Sequence, residues 1–173
     1  MNRISLLICS LFVFSFSINA QVKESGCIIE QTTPGANDMI WENDSLKFSF
    51  VPTSYFWTVR IENKTSDKII CDWDKVLFIY DKTTSGIVFD DTIELKKNDP
   101  KGTSTIAPNT ILRKDIFPIE SWGEYGLSPV FLRQLIKKWG EDKISIIIPI
   151  QFGQDTQEYE FTFRVYIPEK KRK

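Results

Sequence analysis

Residues 143–167 read KISIIIPIQFGQDTQEYEFTFRVYI, and they carry the clearest strand pattern in the chain. It contains an apolar segment at 143–152 and a second segment, from Tyr159 to Ile167, in which apolar and polar side chains alternate. A period of two is typical of a half-buried β-strand. Since residues 153–155, which follow the first segment, favour a turn, the stretch is predicted to form a C-terminal β-hairpin.

The same strand pattern recurs upstream of the hairpin. Residues 46–50 alternate apolar and polar side chains, and in 55–62 the apolar residues Tyr55, Trp57, Val59 and Ile61 share one face while Thr58, Arg60 and Glu62 share the other. Further predicted strands, separated by polar turns at 63–67 and 81–86, are residues 69–73, 76–80, 87–89, 92–95 and 111–119. The polar stretch 96–104 is predicted to be a surface loop.

One segment, about residues 128–139, has helical spacing instead. Ser128 suits the N-cap, Pro129 suits the first helical position, and Gly140 can end the helix. Apolar side chains follow at helical intervals between these end signals. Many short strands with turns every eight to twelve residues or so, and one short helix before the last hairpin, predict an all-β antiparallel sandwich.

The composition excludes several classes of function. The chain has 173 residues, of which 42% are apolar and 26% are charged, and this suits one globular domain. It contains no His, so nucleophilic triads that use His and zinc sites that contain His are excluded. Neither a Gly-x-Gly-x-x-Gly motif nor a phosphate-binding loop is present. The net charge of −1 gives no reason to expect nucleic acid as a partner.

The first twenty residues have the layout of a secretory signal peptide. Arg3 precedes an apolar run that is too short to span a bilayer, and Ala20 is a small residue at the expected cleavage site. We therefore expect residues 1–20 to be removed and residues 21–173 to form a single domain without a membrane span. Its location would be secreted, periplasmic or in the cell envelope. A retained single-pass anchor is the alternative.

Two cysteines, Cys27 and Cys71, remain after that cleavage. In an oxidising compartment a pair of cysteines is more often bonded than free. A bridge that closes a loop of about 45 residues would contribute roughly 4 kcal/mol in the chain-entropy model. Two interpretations stay open: a disulfide between Cys27 and Cys71, or two buried thiols.

The central part of the chain carries a recognisable pattern. Residues 61–73 read IENKTSDKIICDW, and they are followed by Phe-Ile-Tyr-Asp at 78–81 and Ile-Ala-Pro-Asn at 106–109. An Asn-x-Thr/Ser turn thus joins two strands, and an aromatic strand ends in Tyr-Asp. Over about residues 55–108 this pattern resembles exported bacterial immunoglobulin-like domains of unknown function, of the FxLYD type and related envelope modules. The resemblance implies an immunoglobulin-like β-sandwich and export, and it implies no functional residues.

Carboxylates are the remaining candidates for chemistry. Asp72, Asp74, Asp81 and either Asp90 or Asp91 are predicted to lie near strand ends, where they would suit a hard cation such as calcium. Their spacing matches no known calcium loop, so solvated turn residues are the alternative. We therefore assign no catalytic, cofactor-binding or metal-binding residue.

Glu158 and Glu160 form a second pair of carboxylates. Both project on the same side of the last predicted strand. A glycosidase needs its two carboxyl groups across a cleft, so this pair does not indicate glycoside hydrolysis.

The segment 120–126 offers a binding site instead. It reads ESWGEYG, which places Trp122 and Tyr125 between glycines in a predicted loop. Exposed rings there would stack on a sugar or contact a protein, and the alternative is that both rings cover the end of the core. The basic run at 170–173 is a further candidate contact for anionic lipid or polymer.

The sequence thus predicts a non-catalytic interaction module that uses no cofactor and binds an envelope or surface protein or a glycan. Two alternatives stay open. One is a structural accessory subunit that pairs with its partner through a sheet edge. The other is a calcium-dependent or carboxylate-only hydrolase.

Overall fold

The fold is a two-layer antiparallel β-sandwich, which confirms the predicted all-β architecture. The computed structural model describes residues 22–24, 27–34, 39–53, 55–80, 82–123, 126–127, 136 and 141–168. Within these residues the strands, numbered here in chain order, form an eight-stranded sheet, a five-stranded sheet and a two-stranded ribbon.

The larger sheet contains both long C-terminal strands. Its members are β1 Val22–Glu24, β2 Cys27–Thr33, β6 Ile69–Asp72, β7 Leu77–Tyr80, β8 Thr83–Ser85, β10 Thr103–Ile106, β14 Glu141–Phe152 and β15 Asp155–Tyr166. The strand order is β1-β2-β15-β14-β6-β10, and β7 also pairs with β14 and carries β8 on its other side. The predicted C-terminal hairpin is therefore confirmed, and it forms the middle of this sheet.

The smaller sheet packs against the larger one. Its members are β3 Ile40–Glu42, β4 Leu46–Pro52, β5 Trp57–Asn63, β9 Ile87–Phe89 and β11 Ile111–Pro118, in the order β3-β4-β5-β11-β9. The ribbon consists of β12 Trp122–Gly123 and β13 Gly126–Leu127. Three one-turn 3-10 helices, at Trp73–Lys75, Glu94–Lys96 and Ile119–Ser121, complete the described elements.

Alternate residues of the strands fill the space between the two sheets. Phe48 and Phe50 on β4 are buried and meet aromatic side chains of β15. The ring centroids of Phe48 and Phe161 are 4.8 Å apart, and those of Phe50 and Phe163 are 5.1 Å apart. Trp57 packs edge-on against Phe163 at 4.8 Å. Pairs of this geometry stabilise a core beyond the area that they bury, so β4 and β15 are held face to face.

β14 is the central strand of the larger sheet, and it contains a proline at the point where its pairing changes from β7 to β6. β7 pairs with residues 145–147 of β14, and β6 pairs with residues 150–152. Pro149 lies between these two ladders. Because proline has no N–H to donate, it suits a position where no neighbouring strand requires one.

The structure corrects several local predictions. Residues 92–95 do not form a strand: part of the segment is the 3-10 helix Glu94–Lys96. Residues 83–85, predicted as a turn, form β8 beside β7, and the last two residues of the predicted loop, 103 and 104, belong to β10 beside β6. In both cases a partner strand that is available in three dimensions overrides a weak local pattern.

Parts of the prediction fall outside the described residues. The signal peptide at 1–20, the basic run at 170–173 and all of the predicted helix over about 128–139 except Ile136 lie there. Ile136 is helical and buried. In the described part of the chain, no helix is long and apolar enough to cross a membrane.

One buried side chain closes the turn between β5 and β6. Asn63 is fully buried, and its amide nitrogen donates to the carbonyl oxygens of Asp67 at 2.7 Å, Ile106 at 3.1 Å and Ala107 at 3.2 Å. Its amide oxygen accepts from the backbone N–H of Thr65 at 2.9 Å and from the Thr65 hydroxyl at 2.7 Å. A single amide thus ties the turn to the segment that connects β10 to β11.

Candidate interaction surface

Among the described residues, Asp72 and Asp74 bond to nearby parts of the chain and belong to no group of carboxylates that could hold a metal ion. Asp72 caps the 3-10 helix Trp73–Lys75 and forms an ion pair with Lys75 at 2.9 Å. Asp74 instead accepts hydrogen bonds from the backbone N–H of Lys101 at 2.5 Å and of Gly102 at 3.0 Å. Asp72 therefore holds a 3-10 helix, and Asp74 braces a loop.

Of the other acids of that hypothesis, the structure describes only Asp90 and Asp91. Asp81 lies outside the described residues, and Asp90 and Asp91 are exposed. Among the residues that the structure describes, no three His, Cys, Asp or Glu side chains are grouped so as to hold a metal ion.

The predicted aromatic loop, residues 120–126, includes part of the two-stranded ribbon. Trp122 pairs with Leu127 and Gly123 pairs with Gly126, so β12 and β13 flank the segment. Tyr125 and the side chain of Trp122 lie outside the described features. The interpretation of Trp122 and Tyr125 as a binding loop stays a prediction.

Cys27 and Cys71 are two buried thiols and not a disulfide. Cys27 is on β2 and Cys71 is on β6, and β15 and β14 lie between these strands. Three strand spacings of about 4.8 Å already exceed the limit of about 7 Å between the Cα atoms of a disulfide. Burial, together with the neighbouring carboxylate of Asp72, raises the pKa of the Cys71 thiol to about 12. The disulfide alternative is therefore wrong for this fold.

The most distinctive surface feature is an unpaired stretch of β15. On one side, β15 pairs with β14 along its whole length. On the other side, β2 reaches only from Tyr166 back to Thr162, because β2 ends at Thr33 and is followed by a proline. No described strand pairs with the second side of residues 155–161. We call this side of residues 155–161 the free edge.

The register of the hairpin identifies which backbone groups point to the free edge. In an antiparallel pair, residues that exchange two hydrogen bonds alternate with residues that exchange none. Pro149 lies opposite Glu158, and since proline lacks an N–H, this pair is of the second kind. Thr156 and Glu160, two positions away on either side, must then have the same orientation.

Thr156, Glu158 and Glu160 therefore direct their N–H and C=O groups away from β14. These are three donors and three acceptors in a row, and no described residue bonds to them. All three residues are exposed. Such a row is a template on which a further strand can form a ladder.

The free edge carries only acidic charge. Asp155, Glu158 and Glu160 are exposed, and residues 155–161 contain no Lys or Arg. In the part of the chain that the structure describes, none of the three has an ion-pair partner. The side chains of Glu158 and Glu160 are two positions apart, so they project from the same face of the sheet about 7 Å from each other.

Two half-buried aromatic rings lie on the inner side of the free edge. Trp41 of the edge strand β3 packs against Tyr159 of β15, with ring centroids 5.4 Å apart. Trp41 also contacts Phe161 at 6.1 Å, so it bridges the two sheets at the rim of the core. Partial burial raises the pKa of Tyr159, whose hydroxyl donates to Gln157 at 2.8 Å.

The described surface also includes two clefts away from the free edge. One, of about 360 Å³, is beside Ile93 and Lys96 in the loop after β9, and the other, of about 490 Å³, lies between Thr65 and Phe152. The first loop exposes Leu95 by 93%. Both clefts are lined largely by loop and turn residues, and neither includes the free edge.

Sequence reasoning places Glu158 and Glu160 on one face of a strand but does not find the free edge. Whether a strand is covered depends on which distant segment lies beside it, and β2 precedes β15 by more than a hundred residues. The available signal is Pro34, which directly follows the residues of β2 and cannot donate an N–H to continue its ladder.

Comparison with known proteins adds no family. No family model matches the chain, and a search of curated proteins finds no match. Among solved structures, one described as a protein from Archaeoglobus fulgidus is 16% identical, and the alignment covers 72% of this chain and 96% of that chain with a TM-score of 0.34. A likeness at this level carries no argument about function.

Proposed function

We propose that this protein is a non-catalytic interaction module, secreted or located in the cell envelope, that binds a partner protein by accepting one of its strands at the free edge. The proposal joins two sequence-based expectations, an interaction module and pairing through a sheet edge. Export rests on the signal-peptide pattern of residues 1–20.

The observation that carries the proposal is the row of backbone groups on Thr156, Glu158 and Glu160 to which no described residue bonds. Proteins usually cover or shorten such an edge to avoid unwanted pairing. In strand addition, main-chain hydrogen bonds supply affinity, and the side chains around the edge supply selectivity. A ready-made edge on a rigid hairpin needs little ordering before it binds, which favours this use.

The described acids favour binding over hydrolysis. The carboxylates of Asp72 and Asp74 hold a 3-10 helix and a loop in place. Glu158 and Glu160 project from the same exposed face of one strand, whereas a glycosidase needs its two carboxyl groups on opposite sides of a cleft.

Crosslinking capture from the native envelope tests the proposal. The bait is the chain from residue 21 onward, compared with a Glu158→Pro variant, which removes one outward N–H from the free edge. Glu94→Pro is the matched control, because Glu94 is the exposed first residue of a 3-10 helix, where proline is tolerated. A double variant, Trp122→Ala with Tyr125→Ala, tests the predicted aromatic segment.

We expect a specific protein that is captured by the wild type and by Glu94→Pro and is lost with Glu158→Pro. Hydrogen exchange of the captured complex should then show slower exchange at the amides of Thr156, Glu158 and Glu160. A partner that is lost only with the Trp122 and Tyr125 variant would move the site to that segment and overturn the edge proposal.

A further inference from the structure

We infer that the free edge selects a basic, alternating strand: an extended segment with Lys or Arg at every second position and apolar residues between them. The inference deepens the proposed function and rests on it. It follows from the side chains that flank the unpaired backbone groups on the two faces of the sheet.

The outer face sets the charge of the partner. Side chains on neighbouring strands that share a face are cross-strand neighbours, and opposite charges there are favourable. An added strand would place alternate side chains beside Glu158 and Glu160, which have no ion-pair partner in the described part of the chain. The partner repeats its side chains every 7 Å or so, as β15 does, so two basic residues two positions apart match both carboxylates.

The inner face sets the apolar positions. The side chains between those basic residues would point to the opposite face, where Trp41 and Tyr159 form a half-buried aromatic rim. Apolar groups placed there cover ring surface that water now contacts. The partner's basic residues thus match the acidic outer face of the sheet, and its apolar residues match the aromatic inner face.

The same charges disfavour a second copy of this chain as the occupant. If two free edges paired with each other, the carboxylates of one copy would lie beside those of the other. Like charges on neighbouring strands are destabilising. Acidic residues therefore protect the edge from self-pairing and leave it open to a basic strand.

A defined peptide tests the inference without knowledge of the natural partner. The probe is a fluorescent eight-residue peptide of alternating Lys and Val, titrated with the chain from residue 21 onward by fluorescence anisotropy. Three further peptides separate the causes of binding: alternating Glu and Val, alternating Thr and Val, and four Lys followed by four Val. The last has the composition of the probe but not its alternation.

The variants separate backbone pairing from charge attraction. Glu158→Lys with Glu160→Lys reverses the charge, and Glu94→Lys with Asp99→Lys is the matched control on an exposed loop. Glu158→Pro removes the outward N–H, with Glu94→Pro as its control. We expect the charge reversal and Glu158→Pro each to weaken binding of the probe by at least about tenfold, and each control by less than about twofold.

Each other outcome has a definite meaning. Equal binding to wild type and Glu158→Pro, or to the alternating and block peptides, would show charge attraction without strand addition and would overturn the inference. Binding of the Thr-Val peptide as tight as the probe, with protected amides at the free edge, would keep the proposed function and overturn the charge selection. A dimer in sedimentation that dissociates with Glu158→Pro would show that a second copy occupies the edge.

Discussion

The turn after β5 and the free edge of β15 differ in how their backbone hydrogen-bonding groups are satisfied. At the turn after β5, the amide of Asn63 makes five hydrogen bonds and satisfies carbonyl groups of three other residues. At the free edge, three consecutive outward-facing residues of β15 have no partner for their N–H and C=O groups among the described residues. The first side is buried, and the second is exposed.

The fold requires hydrogen bonds at the buried Asn63 side, but stability alone gives no reason for the exposed edge to stay accessible. A buried polar group without a partner is costly, so the Asn63 side must be satisfied for the fold to exist. An exposed edge costs little in the free protein because water bonds to it, but it is a hazard for aggregation. An edge that keeps its backbone groups accessible and carries only acids is consistent with a surface kept open for one kind of strand.

The largest expected effect is a difference in stability between variants on the two hydrogen-bonding sides of β15. Gln157→Pro removes an N–H that bonds to β14 and should lower the free energy of unfolding by roughly 3 kcal/mol. Glu158→Pro removes an N–H that points to the free edge and should cost less than about 1 kcal/mol. Urea unfolding of both variants measures the difference. Equal losses would mean that the register deduced from Pro149 is wrong.

The next effect concerns the hydrogen bonds of Asn63 at the turn after β5. Asn63→Ala removes five hydrogen bonds and leaves the buried carbonyl of Ile106 without that donor, so we expect a loss of about 2–3 kcal/mol in the free energy of unfolding. Asn98→Ala, in an exposed loop, is the control and should cost less than about 0.5 kcal/mol. If both variants unfolded at the same urea concentration, the Asn63 network would not stabilise the turn.

A smaller effect is expected where Asp74 braces the loop. Asp74→Ala removes the acceptor of the Lys101 and Gly102 backbone N–H groups, and we expect a loss of about 1 kcal/mol because the site is exposed. Faster hydrogen exchange at those two amides is the direct readout. Asp91→Ala, exposed on the same loop, should change neither quantity, and calcium should leave the melting temperature of the wild type unchanged. A rise in melting temperature with calcium would revive the cation hypothesis.

The smallest effect is a change in the pKa of Glu42, a carboxylate that has ion-pair partners, unlike the described acids of the free edge. On β3, hydrogen bonding and charge attraction from Lys64, and then from Lys47, lower the pKa of Glu42 below its ordinary value of 4.5. The ion pairs therefore add stability above pH 4.5, and this stability is lost as the pH falls through the lowered pKa. In an NMR titration, Lys64→Met should raise the Glu42 pKa and Lys68→Met should not. An unchanged value in Lys64→Met would remove Lys64 as the cause.

The parts of the fold that follow from the sequence are those with local causes. Period-two alternation predicts β4, β5 and the β14–β15 hairpin because each side chain's face is decided by its immediate neighbours. β8 and β10 escape prediction because their partner strands, and not their own residues, make them strands. The distance between Cys27 and Cys71 and the extent of the free edge both depend on β15 lying beside β2, which it follows by more than a hundred residues, and no local pattern records this.

Amide hydrogen exchange along β15, read residue by residue by NMR, tests the central claim most directly. In the free protein we predict fast exchange at Thr156, Glu158 and Glu160 and slow exchange at Gln157, Tyr159 and Phe161, whose N–H groups bond to β14. Addition of the alternating Lys-Val peptide should slow the first three amides and leave the others unchanged. Equal protection of all six amides in the free protein would contradict the account, because the edge would then already be covered.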